Sequence, residues 1–229
     1  MRLGKKLQTP PRADRIQPVM AKGQRVKKLG ILGGSFNPIH LGHLVLAEAA
    51  REALGLDRVI FIPAKLPPHK RAASLAGGAD RLAMVRLAVA GNPAFAVSDI
   101  ELRRPGVSYS VDTVRALREK LGAGTAIYFL IGMDTVAELA TWREIARLAR
   151  LCKFVPLSRP GHSSPDAAAL ERALGKVPAR ALLKRALDMP LIGISSSEIR
   201  RRVAEGRTIR YRVPDTVAAY IRRKRLYSR

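Results

Sequence analysis

The sequence predicts an α/β fold: a doubly wound parallel sheet covered by helices on both faces, with a small C-terminal helical segment. Three observations predict it. Short apolar, β-rich runs alternate with longer segments of helical period along most of the chain. One run, residues 126–133, carries no charge at all, as a strand buried on both faces requires. The first run ends in a Gly-Gly turn that leads directly into a helix.

Composition bounds the reading. At roughly 150 residues per domain, 229 residues suggest one domain. A content of 47% hydrophobic and 26% charged residues excludes wholesale disorder. A chain of this length buries a core without disulfide or metal staples. The single cysteine, Cys152, excludes an intramolecular disulfide and a multi-cysteine zinc cluster, and fits a reducing, cytoplasmic setting. No apolar stretch reaches the ~20 residues that span a bilayer, and the basic N-terminus lacks the apolar core of a secretory signal. No membrane role is expected.

The elements follow in order. Residues 1–27 read as a disordered basic arm, because Pro10, Pro11 and Pro18 break any helix and no apolar period is sustained. Met20 lies inside this arm and is an alternative start. Residues 28–229 read as a single domain that includes the C-terminal helices. Residues 29–32 form its first strand and 33–38 a turn. A helix then runs from residue 40 or 41 to Gly55, with Leu44, Val45, Ala47, Ala49 and Leu54 as apolar positions. Residues 58–63 are a strand. The adjacent Pro67 and Pro68 make 65–71 a loop. A helix over 80–90, a strand over 95–100 and a helix over 111–121 lead to the central strand at 125–131. Two short helices, 134–139 and 142–150, precede a strand at 151–155, a turn at 158–161 and a helix at 165–174. The last strand is expected at 190–194, and the terminal helices at 197–205 and 214–226. This is a Rossmann-like order, in which the ligand crevice lies beyond the carboxyl ends of the strands. The residues that follow each strand therefore carry the functional information.

The net charge of +24 is concentrated at the two ends. Residues 1–28 hold nine Lys/Arg and one acid, and residues 200–229 hold eleven and two. Such ends attract nucleic acid or acidic surfaces, steer small polyanions, or are simply solvated extensions.

After the first strand stands Gly33-Gly34-Ser35-Phe36-Asn37-Pro38-Ile39-His40-Leu41-Gly42-His43. Glycines permit close backbone approach to a ligand. The helix that follows presents N–H groups and the positive end of its dipole, which suits phosphate. His40 and His43, three apart on one helical face, lie roughly 5–6 Å from each other and can both donate to phosphate oxygens. The bland alternative is a tight turn with two surface histidines. A metal pair lacks an evident third ligand. Near the end, Ser195-Ser196-Ser197-Glu198-Ile199-Arg200 puts three hydroxyls and a guanidinium at a helix start. They can cap the helix or hold an anion.

Together the two motifs resemble the signatures of the nucleotidylyltransferase superfamily: H-x-G-H, and I-S-S-T-x-I-R with Ser197 in place of Thr. Further motifs are similar to those of bacterial nicotinate-nucleotide adenylyltransferase. They are Pro67-Pro68-His69-Lys70; Glu101-Leu102-Arg103-Arg104 with Ser108-Tyr109-Ser110; Ile131-Gly132-Met133-Asp134; Thr141-Trp142; Ser158-Arg159-Pro160-Gly161; and Val213-Pro214 with Tyr220-Ile221 and Leu226-Tyr227. The similarity covers about residues 28–227. Asn37 stands where some members have Asp.

The resemblance implies transfer of AMP from ATP to nicotinate mononucleotide by direct in-line displacement. Mg²⁺ would be held mainly by substrate phosphates, with no metal site built from the chain. It implies ATP contacts by Gly33, Gly34, Ser35, Phe36, His40, His43, Ser195, Ser196, Ser197 and Arg200, with His40, His43 and Arg200 catalytic. It implies acceptor contacts by Tyr109, Ser110, Asp134, Trp142, Arg143, His69 and Lys70. Asp134 is otherwise a helix N-cap, Trp142 a core residue, and His69 and Lys70 surface-loop residues. The expected partners are the two substrates, with no specific nucleic acid; a homo-oligomer is left open. An adenylyl- or cytidylyltransferase for another acceptor, such as nicotinamide mononucleotide or phosphopantetheine, is the nearest alternative. A basic nucleic-acid-binding protein is the alternative from a different class, though no recognisable nucleic-acid module is present.

Overall fold

The computed structural model describes residues 26–66, 75–158, 167–190 and 192–228. Six parallel strands form one sheet in the order β3-β2-β1-β4-β5-β6. They are β1 (Lys28–Gly34), β2 (Arg58–Pro63), β3 (Phe95–Val97), β4 (Ala126–Gly132), β5 (Lys153–Ser158) and β6 (Leu187–Asp188). The order reverses between β1 and β4, whose register runs from Lys28 against Ala126 to Leu32 against Leu130. That reversal opens the crevice expected of a doubly wound sheet.

The helices are α1 (Leu41–Leu54), α2 (Gly78–Val89), α3 (Ile100–Arg103), α4 (Ser110–Leu121), α5 (Met133–Glu138), α6 (Ile145–Leu151), α7 (Ala167–Leu174), α8 (Lys176–Leu183), α9 (Ser196–Ala204) and α10 (Asp215–Arg223). The pleat sorts each strand onto two faces. On β2, Ile60 and Ile62 join one core with α4, α6, α7 and α8. Val59 and Phe61 point the other way, into a second core with α1, α2, α9 and α10. α1 ends where Gly55 adopts φ 58°, a left-handed C-cap that a side chain would strain.

Most predicted elements are present, and the differences have physical reasons. Val26, assigned to the arm, is buried in the first core, and its carbonyl accepts from Thr125 Oγ1 at 2.8 Å; the folded chain starts at least two residues earlier than the motif suggested. β3 stops at Val97, because Ile100 opens α3. Trp142 is in no helix: it follows a 3-10 turn, Leu139–Thr141, and α6 begins only after Glu144 has turned through a left-handed conformation. The last strand is Leu187–Asp188, not 190–194; Pro190 has no N–H to donate, and two residues pair the edge. α8 was not anticipated. Its Pro178 sits in the first turn, where the missing N–H would be unsatisfied in any case. Among the described residues no helix is long and apolar enough to cross a membrane.

Candidate active site

The two signature motifs, some 160 residues apart in sequence, meet at the carboxyl end of β1. Arg200 Nη1 donates to the Asn37 carbonyl at 2.8 Å, and Ser196 Oγ donates to the Pro38 carbonyl at 2.9 Å. The Asn37–Pro38 peptide is cis. The three hydroxyls thus divide their work. Ser195 caps α9 by accepting from the Glu198 N–H at 3.2 Å. Ser196 ties the helix to the loop. Ser197 accepts from Arg200 Nη2 at 3.3 Å and is exposed. The guanidinium has five N–H donors, and these two bonds leave others to meet an anion.

The histidines are arranged differently from the expected pair on one helical face. His40 is the N-cap of α1 and is buried. Its ring stacks on that of His43 at 3.7 Å between centroids. Gly42 makes this feasible, because a Cβ there would lie 3.0 Å from His40 Nδ1. The room beside Gly42 is taken by the His40 ring. His43 Nδ1 accepts from the His40 backbone N–H at 3.2 Å, so a neutral His43 carries its proton on Nε2, as a donor. His43 is half-buried and is the more exposed imidazole of the pair.

The backbone at the start of α1 is less open to anions than predicted. The Leu41 N–H donates to the Arg212 carbonyl and the His43 N–H to the His40 carbonyl, both at 2.9 Å. Gly33 is exposed, and Gly34 and Ser35 are half-exposed along the crevice. Phe36, expected among the ATP contacts, is buried beneath the histidine pair. The side chain is 2% exposed and packs edge-on against His43 at 5.1 Å and against Phe61 at 5.9 Å. It supports His43 from beneath.

On the other side of the crevice, Tyr109 caps α4 and Ser110 begins it. Arg143 extends from the segment before α6 and lays its guanidinium 4.7 Å from the Tyr109 ring centre, with Glu144 at 3.8 Å. Trp142 stands half-buried, edge-on to Phe129 and Phe154 at 5.9 and 6.4 Å. Its expected role and its core alternative are both physically available, since one part packs and the rest is open. Asp134 is exposed in the first turn of α5. Gly132 is the N-cap, so Asp134 is not one. His69 and Lys70 lie outside the described residues.

Arg81 escaped the sequence reading, and Glu101 and Tyr227 entered it only as members of motifs, with no role given. Arg81 on α2 is 1% exposed and donates to three carbonyls: Ser35 at 2.7 Å, Ala76 at 2.9 Å and Lys65 at 3.2 Å. It pins the turn after β1 to the segment after β2. Burial pulls its guanidinium below the ordinary range. Tyr227 Oη donates to Asn37 Oδ1 at 2.9 Å, and the same oxygen accepts from the Ala76 N–H at 3.0 Å. Burial pushes the Tyr227 phenol well up, so it stays a donor. Glu101 is buried and accepts from Thr113 Oγ1 at 2.8 Å; burial raises its carboxyl above the ordinary range, against hydrogen bonds from Thr113 and Ser108. A buried Arg and Glu on apolar helix faces were the available signal, but nothing in the linear pattern names their partners.

Comparison with known proteins bears on the family and the fold. Residues 31–202 match a family model described as cytidylyltransferase-like. A probable nicotinate-nucleotide adenylyltransferase of Roseiflexus castenholzii is 46% identical over 200 residues, covering 87% of this chain and 98% of that protein. The corresponding protein of Thermomicrobium roseum is 46% identical over 202 residues, 88% of this chain and 92% of its own. Among solved structures, Plasmodium falciparum nicotinic acid mononucleotide adenylyltransferase complexed with NaAD superposes with a TM-score of 0.68 at 21% identity, over 88% of this chain and 97% of that one. At that identity the likeness speaks for the fold.

Proposed function

Because the chain belongs to the nicotinate-nucleotide adenylyltransferases, within the cytidylyltransferase-like family, we infer that it transfers AMP from ATP to nicotinate mononucleotide. The products are nicotinate adenine dinucleotide and pyrophosphate, a step of NAD biosynthesis. The observation that supports the reading is the junction of Asn37-Pro38 with Ser196 and Arg200, which joins the two signature motifs beside the β1–β4 reversal.

The reaction is a displacement at the α-phosphorus. An oxygen of the acceptor phosphate forms a bond to that phosphorus, the bond to the bridging α–β oxygen breaks, and pyrophosphate leaves with the electron pair. Nothing covalent is asked of the protein, so it acts by alignment and charge stabilisation. His43 donates from Nε2 to the reacting phosphate, held by its Nδ1 bond and by Phe36. His40 positions it by stacking and caps the helix. Arg200 and Ser197 hold the departing pyrophosphate, while Ser195 and Ser196 fix the helix that presents them. Gly33, Gly34 and Ser35 let the nucleotide lie close to the backbone. ATP is taken as its Mg²⁺ complex, with the ion carried mainly by phosphate oxygens. Among the described residues no three His, Cys, Asp or Glu side chains gather as a ligand set.

Trp142 offers a ring face for the acceptor pyridine. Tyr109, Ser110 and Arg143 surround the position of its carboxylate, and Asp134 serves a ribose hydroxyl. His69 and Lys70 follow in sequence a segment tied to this side, since the Lys65 N–H donates to Ser108 Oγ at 3.0 Å, and they are assigned to the acceptor.

The test is pyrophosphate release with Mg-ATP and, in turn, nicotinate mononucleotide, nicotinamide mononucleotide and phosphopantetheine, with His43→Ala as control. Turnover on the first, reduced ~10²–10³-fold in the variant, is expected. Preference for another acceptor overturns the role given to Trp142 and Arg143. Full activity in His43→Ala overturns the role given to His43.

A further inference from the structure

The start of helix α9 carries Ser197 and Arg200, assigned above to the crevice, and its far end borders a second cavity. From Ser197 to Val203 the helix advances about 9 Å. Beyond that point a cleft of about 840 Å³ opens between the 206–212 segment and α10 with the residues after it. That volume is in the range of small-ligand sites. Its floor is apolar: Val203, Ile209, Ala218, Ile221 and Leu226. Its rim carries Arg207, Arg210, Arg222 and Arg225, with Asp215 as an acid among them.

The rim charges are poorly compensated. Arg207 meets Glu205 at 3.4 Å. Among the described residues, Arg210, Arg222 and Arg225 meet no carboxylate within salt-bridge distance. Gathering guanidiniums without counter-charges is unfavourable for the free protein and favours an anionic guest. The cleft also holds Tyr211, 80% exposed, which is the only exposed aromatic among the described residues. It is held out by a left-handed backbone at φ 61°, a conformation uncommon for a tyrosine. Arginines over an apolar floor beside an open aromatic ring are the chemistry that takes a phosphate and a flat base together.

We propose that this cleft is a second nucleotide-binding site, separate from the catalytic crevice, with phosphate on Arg210, Arg222 and Arg225 and the base on Tyr211 and the apolar floor. Free nucleotides and single-stranded nucleic acid both present that unit, and the experiment separates them. Calorimetric titration of the full chain with ATP is compared with the double variant Arg210→Glu, Arg222→Glu, and with Tyr211→Ala, which alters only an exposed ring. Two ATP per chain are expected for the unaltered protein and one for the double variant, whose pyrophosphate release is unchanged. Tyr211→Ala is expected to weaken the second site at least fivefold. A ten-nucleotide oligothymidylate is titrated in parallel. Binding of this strand, reduced tenfold or more in the double variant, with one ATP per chain throughout, assigns the site to nucleotides within a strand and supports the proposal. One ATP per chain in all proteins together with unaltered strand binding overturns it. So does an equal loss on Arg180→Glu, a charge reversal on α8, which would reduce the effect to overall charge.

Discussion

Replacing Arg81 by Met tests whether one buried cation holds the two halves of the crevice in place. Methionine retains much of the stem's volume and removes all three donations to the Ser35, Lys65 and Ala76 carbonyls. Hydrogen bonds from a charged donor contribute ~1.5 kcal/mol or more each, so three cost about 4–5 kcal/mol. That is a large share of the ~5–15 kcal/mol of an ordinary domain. With a urea m-value of ~2.5 kcal/mol/M, the midpoint should fall by about 2 M. Under conditions where the variant is still folded, kcat/KM should drop for ATP and for the acceptor alike, because Ser35 belongs to one side and Lys65 to the other. Arg81→Lys keeps the charge but not the planar fork, and should recover only part of either loss. A midpoint shift below about 0.4 M, or a loss confined to one substrate, would refute the reasoning.

Three further outcomes are expected. Tyr227→Phe deletes the bond to Asn37 Oδ1 and should cost about 1 kcal/mol, a fall of ~2–4 °C in Tm, with KM for ATP rising more than KM for the acceptor; equal effects on both would assign it a purely structural role. Arg143→Ala should reduce the preference for the acid acceptor over the amide by ~2–5-fold, the scale of an exposed cation interaction, read as the ratio of kcat/KM values; an unchanged ratio defeats the assignment. Glu101 supplies a pH test. Its carboxyl is raised in the folded protein chiefly by burial, so between its ordinary value of 4.5 and the folded value the native state binds more protons than the unfolded one. Its contribution to stability is therefore full below that window and declines as pH rises through it. Denaturation midpoints of the unaltered protein and Glu101→Gln should diverge in slope there, and parallel slopes would contradict the assignment.

Much of the molecule follows from its local sequence. The strand at 58–63, the unbroken 126–133 run and the Gly55 stop depend on neighbours a few residues away, and these elements stand where the pattern puts them, whereas β5 is Lys153–Ser158 and not the expected 151–155. The two signature motifs were legible through their joint resemblance to a known family, while each alone also fitted a tight turn or a helix cap. Local pattern ceases to suffice where an interaction joins distant segments. The strand expected at 190–194 yields to a two-residue edge pairing chosen by β5. Whether Phe36 faces a ligand or the core is decided by Phe61 of β2, and whether Ser196 donates to phosphate or to Pro38 is decided by how α9 docks. Arg81, Glu101 and Tyr227 look ordinary in sequence, because a buried polar group is defined by its partners and those partners are brought to it only by the tertiary fold.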